Sequence, residues 1–154
     1  MISGMNRQER RNFIEELRAR VKDGKKSAFS YVCSGLKQKE NKFNWVGIYV
    51  LSGDKLQLDT FEGEKTQHVQ IALGDGLCSL AVLKNEIVNE ADVKSNSKYL
   101  ACFPTTRSEL VVPVRKNGFA VGEIDIDSDL KNAFDKEDER FVTEIANMLG
   151  ESFF

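Results

Sequence analysis

Apolar residues recur at helical spacing at the start of the chain. Phe13, Ile14, Leu17 and Val21 stand among charged residues over 6–22, which predicts an amphipathic helix. Gly24 ends it, because glycine tolerates the left-handed C-terminal conformation. A second helix follows, with Ser27 as its candidate cap and Phe29, Val32, Cys33 and Leu36 along one face. At Asn44 the period changes. Residues 45–51 are aromatic and β-branched, a strand signal. Ser52-Gly53-Asp54 turns the chain into 55–61, where Leu56, Leu58 and Thr60 alternate with polar residues. Residues 68–73 alternate again through Val69, Ile71 and Leu73. The Gly74-Asp75-Gly76 turn leads to a small helix over 78–83, and 87–89 reads as a short strand.

Residues 91–107 have no clear period. They are rich in Ser, Asn, Lys and Thr and contain Cys102 and Pro104. A loop of this length inside a compact domain is usually functional or disordered. Two strands follow, 109–115 and 119–127, joined at Asn117-Gly118, the strongest short-range hairpin signal. Pro113 cannot donate a ladder bond and so belongs at an edge or a bulge. Asp135 caps a last helix, whose apolar stripe is Phe141, Ile145, Met148 and Leu149. The order predicts an α+β fold: N-terminal helices and a C-terminal helix packed on a central antiparallel β-sheet. Residues 1–154 read as a single domain, with 1–4, ahead of a second Met at Met5, read as an expression remnant.

Composition narrows the function. Hydrophobic residues make up 41% and charged residues 30% of the 154 positions, an ordinary globular balance. The 22 Lys and Arg against 24 Asp and Glu give a net charge of -2. That excludes the basic footprint of a nucleic-acid binder. No apolar run approaches the ~18 residues of a membrane span, and the N-terminus has no signal-peptide core. The expectation is a soluble, cytoplasmic protein. Its three cysteines, Cys33, Cys78 and Cys102, form no disulfide framework. A zinc site of Cys and His would need all three together with the lone His68. No metal or cofactor is therefore expected.

The candidate chemistry lies in thiols and carboxylates. Cys78 follows a glycine turn and opens a helix. It reads either as a core residue or as a thiol whose pKa is lowered by the helix N-terminus. Cys102, in the long loop, has less packing reason to exist. Cys33 sits on an apolar helix face and reads as core. Asp125 and Asp127 lie two apart on a strand and share a face, opposite Ile124 and Ile126. That face is either solvated or part of a site. The Asn-Gly hairpin returns Glu109 to their neighbourhood. Three converging carboxylates repel one another, which raises at least one pKa. Such a cluster holds a cationic amino group and keeps an acid protonated for proton donation. Trp45 and Tyr49, four apart on a strand, share a face as core or as the apolar wall of a small-molecule pocket. His68 alternates with Val69 and Ile71 and reads as a solvent or rim residue.

Together these positions resemble the free methionine-(R)-sulfoxide reductase family, which is built on a GAF domain. Residues 44–49 (Asn44-Trp45-Val46-Gly47-Ile48-Tyr49) look like its NWxGFY strand, and Gly76-Leu77-Cys78 with Ala81 looks like GVCGxA. Asp92-Val93 and Leu100-Ala101-Cys102 resemble its DV…IAC loop. Residues 108–113 resemble SEIVVP, and 122–128 resemble GVLDIDS. The resemblance implies a GAF-like fold and an enzyme that reduces free methionine-(R)-sulfoxide. It implies Cys102 as catalytic cysteine, Cys78 as resolving cysteine and Glu109, Asp125 and Asp127 as substrate-contacting carboxylates, with Glu109 or an aspartate as proton donor. Trp45 and Tyr49 would be the apolar wall. A dithiol such as thioredoxin would be the reductant, and a homodimer through the N-terminal helices is expected. The sequence departs from the family where a third cysteine is usual, at His68, and in Lys98-Tyr99 and Phe103 around Cys102. The rival readings are a GAF module that binds a small ligand without turnover, and a redox switch using the Cys78–Cys102 pair alone.

Overall fold

The computed structural model describes residues 4–97, 99 and 103–154. Four α-helices lie among them: α1 (Arg7–Val21), α2 (Lys25–Lys39), α3 (Gly76–Lys84) and α4 (Lys136–Phe153). Six strands, β1 (Trp45–Ser52), β2 (Lys55–Glu62), β3 (Gln70–Ala72), β4 (Val88–Glu90), β5 (Ser108–Lys116) and β6 (Phe119–Ser128), form one sheet. The sheet is antiparallel throughout, in the order β3-β2-β1-β6-β5-β4. This is the expected α+β architecture.

Local signals set most boundaries. Asn6 starts α1 with a capping box: its side chain accepts from the Glu9 amide while Glu9 accepts from the Asn6 amide. Asp135 and Asp138 do the same for α4. The cap of α2 is Gly24 rather than Ser27, which falls inside the first turn. Only residues 22–24 separate α1 from α2, and a glycine at φ +107° reverses the chain in that space. The strand expected over 68–73 is reduced to β3. Only Ile71 of its alternating residues is buried, and Val69 is 55% exposed. In the β5–β6 hairpin, Asn117 (φ +53°) and Gly118 (φ +84°) both take the left-handed conformation that the turn requires. Pro113 lies beyond the part of β5 that pairs with β4, just before a register shift at Val114/Arg115.

Strand alternation divides the core in two. Val46, Ile48, Leu110, Val112, Val114, Ile124 and Ile126 point to one side, under the buried faces of α1, α2 and α4. Trp45, Tyr49, Leu56 and Val111 point to the other. There they meet Leu77, Cys78, Ala81 and Val82 of α3, together with Val93 and Phe103. On the first side an ion cluster ties three elements. Arg10 of α1 reaches Asp138 of α4 at 2.6 Å and Glu40, the C-cap of α2, at 3.1 Å, while Lys42 reaches Asp138 at 2.5 Å.

Candidate active site

The second face carries the site. On β6, Glu123, Asp125 and Asp127 alternate with Ile124 and Ile126 and so share one side of the sheet. On β1 they stand opposite Tyr49, Gly47 and Trp45, and on β5 opposite Pro113, Val111 and Glu109. A row of acids thus runs along the middle strand, aromatics flank it on one side, and Glu109 closes it on the other. Glu109 is 4% exposed, and Glu123, Asp125 and Asp127 are 2% or less. This face is buried, so the solvated reading of Asp125 and Asp127 falls.

Helix α3 supplies the thiol. Cys78 is its third residue, and its sulfur lies 3.3 Å from Asp125 Oδ2 and 4.0 Å from Glu109 Oε2. Of the two readings of Cys78, the thiol acidified by a helix N-terminus does not hold. Burial, then the charges of Asp125, Glu123 and Glu109, push Cys78 well above its ordinary value. Burial likewise raises Glu123 and Asp127 well above the ordinary carboxylate range, and the charge of Asp125 adds to both shifts. Asp125 is raised too, by burial that outweighs its hydrogen bonds with Glu109 and Cys78. Burial thus favours the protonated forms of the Cys78 thiol and of the Glu123, Asp125 and Asp127 carboxyls.

The aromatic wall is held from several directions. The indole of Trp45 donates to the carbonyl of Glu64 at 2.9 Å. It stacks on Phe61 with centroids 5.9 Å apart and meets Phe103 at 6.0 Å. The ring lies across Gly47, where a Cβ would stand 2.2 Å from Trp45 Cη2. The Tyr49 hydroxyl donates to the His68 carbonyl at 2.8 Å. His68 is half-buried and serves Tyr49 through its backbone.

Trp45, Tyr49, Cys78, Glu109, Asp125 and Asp127 thus come together. Cys33 sits in the other core, where its thiol donates to the Thr60 carbonyl at 3.6 Å. Burial pushes its pKa far up. Cys102 lies outside the described residues. The sequence reading passed over Glu123, although period two from Asp125 places it on the same face. It also passed over Phe61 and Phe103 as parts of the wall.

A GAF-domain family model matches residues 37–153. Among solved structures, the chain is 57% identical to a type II free methionine-R-sulfoxide reductase from Thermoplasma acidophilum. That match covers 90% of this chain and 93% of the other at a TM-score of 0.78. The chain is also 33% identical over 114 residues to the free methionine-R-sulfoxide reductase of Escherichia coli, covering 74% of this chain and 68% of that one. The chain belongs to the free methionine-(R)-sulfoxide reductase family. Another structure similar to this family member is the reductase from Neisseria meningitidis in complex with its substrate. It is 28% identical at a TM-score of 0.87, and the match covers 99% of this chain and 93% of that one. The chain spans 66% to 74% of the length of the first curated relatives it matches.

Two further features complete the picture of this reductase-family chain. Cys78, Glu109 and Asp125 each present a donor atom within 4.8 Å of the other two, a set that could hold a metal ion. A wide surface cavity of about 910 Å³ lies away from the acidic row, lined by Arg10, Glu40 and Asp138 among others. Arg10 pairs with both acids, and the cavity holds none of the thiol or carboxylate groups of the site. No helix among the described residues is long and apolar enough to cross a membrane.

Proposed function

We propose that this chain reduces free methionine-(R)-sulfoxide to methionine with electrons from a dithiol such as thioredoxin. The observation that supports this best is the buried set of Glu109, Asp125 and Asp127 between the Trp45–Tyr49 wall and the Cys78 thiol, in a chain so similar to named reductases. Asp125 and Asp127 form no ion pair among the described residues. A free amino acid brings the missing cation, its α-ammonium, whereas a residue within a peptide has only an amide there. The apolar wall suits the side chain of the substrate. A buried carboxyl, Glu109 or one of the aspartates, suits donation to the sulfoxide oxygen.

In this reading Cys102 bonds to the sulfoxide sulfur, the oxygen passes as hydroxyl to the Cys102 sulfur while the new sulfur–sulfur bond and the original sulfur–oxygen bond break, and methionine leaves with two more electrons than the sulfoxide had. Cys102 is left as a sulfenic acid. Cys78 passes its proton to a neighbouring carboxylate and attacks the Cys102 sulfur. Water leaves and a Cys78–Cys102 disulfide forms. The external dithiol reduces it by exchange. Cys33 takes no part. Residues 1–154 act as one GAF domain in the cytoplasm, as a homodimer through α1 and α2.

Methionine release from free methionine-(R)-sulfoxide tests the reading. Cys102→Ser should release none. Cys78→Ser should release about one methionine per protein and then stall with thioredoxin, because attack needs only the first thiol. Cys33→Ser should match the parent, and mass spectrometry should find a Cys78–Cys102 link. Saturable ligand binding with no methionine formed would favour the non-catalytic module instead. A disulfide without methionine would favour the redox switch.

A further inference from the structure

We propose that the reduced site also binds one zinc ion through Cys78, Glu109 and Asp125. The donors are one sulfur and two carboxylates, with the sulfur 3.3 Å from Asp125 Oδ2 and 4.0 Å from Glu109 Oε2. Around tetrahedral zinc, a thiolate bound at ~2.3 Å and a carboxylate bound at ~2.1 Å stand about 3.6 Å apart. The two separations bracket that value, so small side-chain adjustments complete the geometry. The sulfur selects against hard cations such as magnesium and calcium, which take six or more oxygens. Three protein ligands leave a fourth position open.

A second observation points the same way. Glu123 is 0% exposed and its charge bears on the Cys78 thiol, yet neither of its carboxylate oxygens has a hydrogen-bond partner among the described residues. Asp125 Oδ1 is also buried and without a hydrogen-bond partner among the described residues. Uncompensated buried carboxylates aimed at a thiol form a sink for positive charge, and a dication satisfies more of them than a proton does. On binding, the Cys78 S–H bond is replaced by S–Zn and a proton is released. Any protonated carboxyl that binds also gives up its proton, and nothing is oxidised or reduced. The ion occupies the position proposed for the substrate ammonium and ties up the proposed resolving thiol. Disulfide formation removes the sulfur donor and expels the ion. The metal would therefore inhibit turnover, a consequence that rests on the reductase reading, whereas binding itself does not.

The test is calorimetric titration of the reduced, full-length chain with Zn²⁺, with Co²⁺ as a spectroscopic probe. One equivalent should bind with proton release, and Co²⁺ should give a near-ultraviolet thiolate-to-metal charge-transfer band. Cys78→Ser should abolish the band, and both Cys78→Ser and Asp125→Asn should weaken Zn²⁺ binding more than about tenfold, the scale of loss for metal-site changes. Cys33→Ser should do neither. Absence of zinc uptake, a cobalt complex without the band, or unchanged binding by Cys78→Ser overturns the proposal. The titration needs no turnover. Methionine formation without zinc binding would sink this inference alone, and zinc binding without methionine formation would sink the reductase reading alone.

Discussion

The sulfur of Cys78 on α3 stands 3.3 Å from Asp125 Oδ2 on β6, two elements brought together from 47 residues apart. Burial, and then the charge of Asp125, raises the cost of ionising Cys78, whereas the hydrogen bond with the thiol eases the ionisation of Asp125. Replacing the acid by an amide removes the repulsion and should lower the pKa of Cys78. In Asp125→Asn, iodoacetamide should therefore alkylate Cys78 faster than in the parent at neutral pH, as read by peptide mass mapping across pH. Slower labelling would mean that Asp125 activates the thiol.

Glu123 should leave a mark on stability. Its folded pKa lies well above its ordinary 4.5 because it is buried. Below 4.5 both folded and unfolded chains hold the proton. Above it the unfolded chain ionises first, so the stability this group contributes is lost as pH rises toward the folded value. Glu123→Gln does not titrate. Its Tm should fall less than that of the parent as pH rises above 4.5. Parallel Tm curves would mean that Glu123 is ionised in the fold.

Gly47→Ala should disturb the wall without touching a carboxylate. The new methyl would stand 2.2 Å from Trp45 Cη2, so the indole must move. Overpacking of this kind costs about 1–3 kcal/mol. Trp45 is the sole tryptophan, so its fluorescence reports the shift directly. Affinity for free methionine sulfoxide should fall while Cys78 labelling stays near the parent rate. Unchanged fluorescence and affinity would remove Gly47 from the support of the wall.

Asp138 should matter to stability and not to chemistry. Burial raises its pKa, but hydrogen bonds from Lys42 and Arg10 outweigh that and hold it below 3.8. Asp138→Ala leaves Arg10 and Lys42 without this partner and removes half of the α4 capping box. Losing one member of a buried pair costs about 3–5 kcal/mol. Urea unfolding should show that loss, and methionine formation by the remaining folded protein should persist. In the parent, the contribution of Asp138 should fade as pH falls from 3.8 toward its lower folded value.

Much of this was legible before the fold. Asp135 as a cap, the Asn117-Gly118 turn and the shared face of Asp125 and Asp127 rest on short-range geometry, and all three hold. Ser27 misled because a cap signal was read without the three-residue gap that forces Gly24 into the role. Period two tells which residues share a face but not whether anything covers it. Burial of the acids comes from α3 and Phe103 docking across the sheet, contacts that no local pattern encodes. The same long-range packing decides between the two readings of Cys78. A helix start favours a thiolate, but desolvation and neighbouring carboxylates outweigh it.

The alternation along β6 has a consequence for how the chain finds its structure. A slip of one position in pairing would exchange Ile124 and Ile126 with Glu123, Asp125 and Asp127. Three acids would then enter the helix-covered oil, and two isoleucines would replace the ligand groups. Mispaired states are thus penalised by the very residues proposed for chemistry. The acids serve as an address label for the central strand, and wholesale neutralisation of that row would loosen the molecule's choice between registers along with its activity.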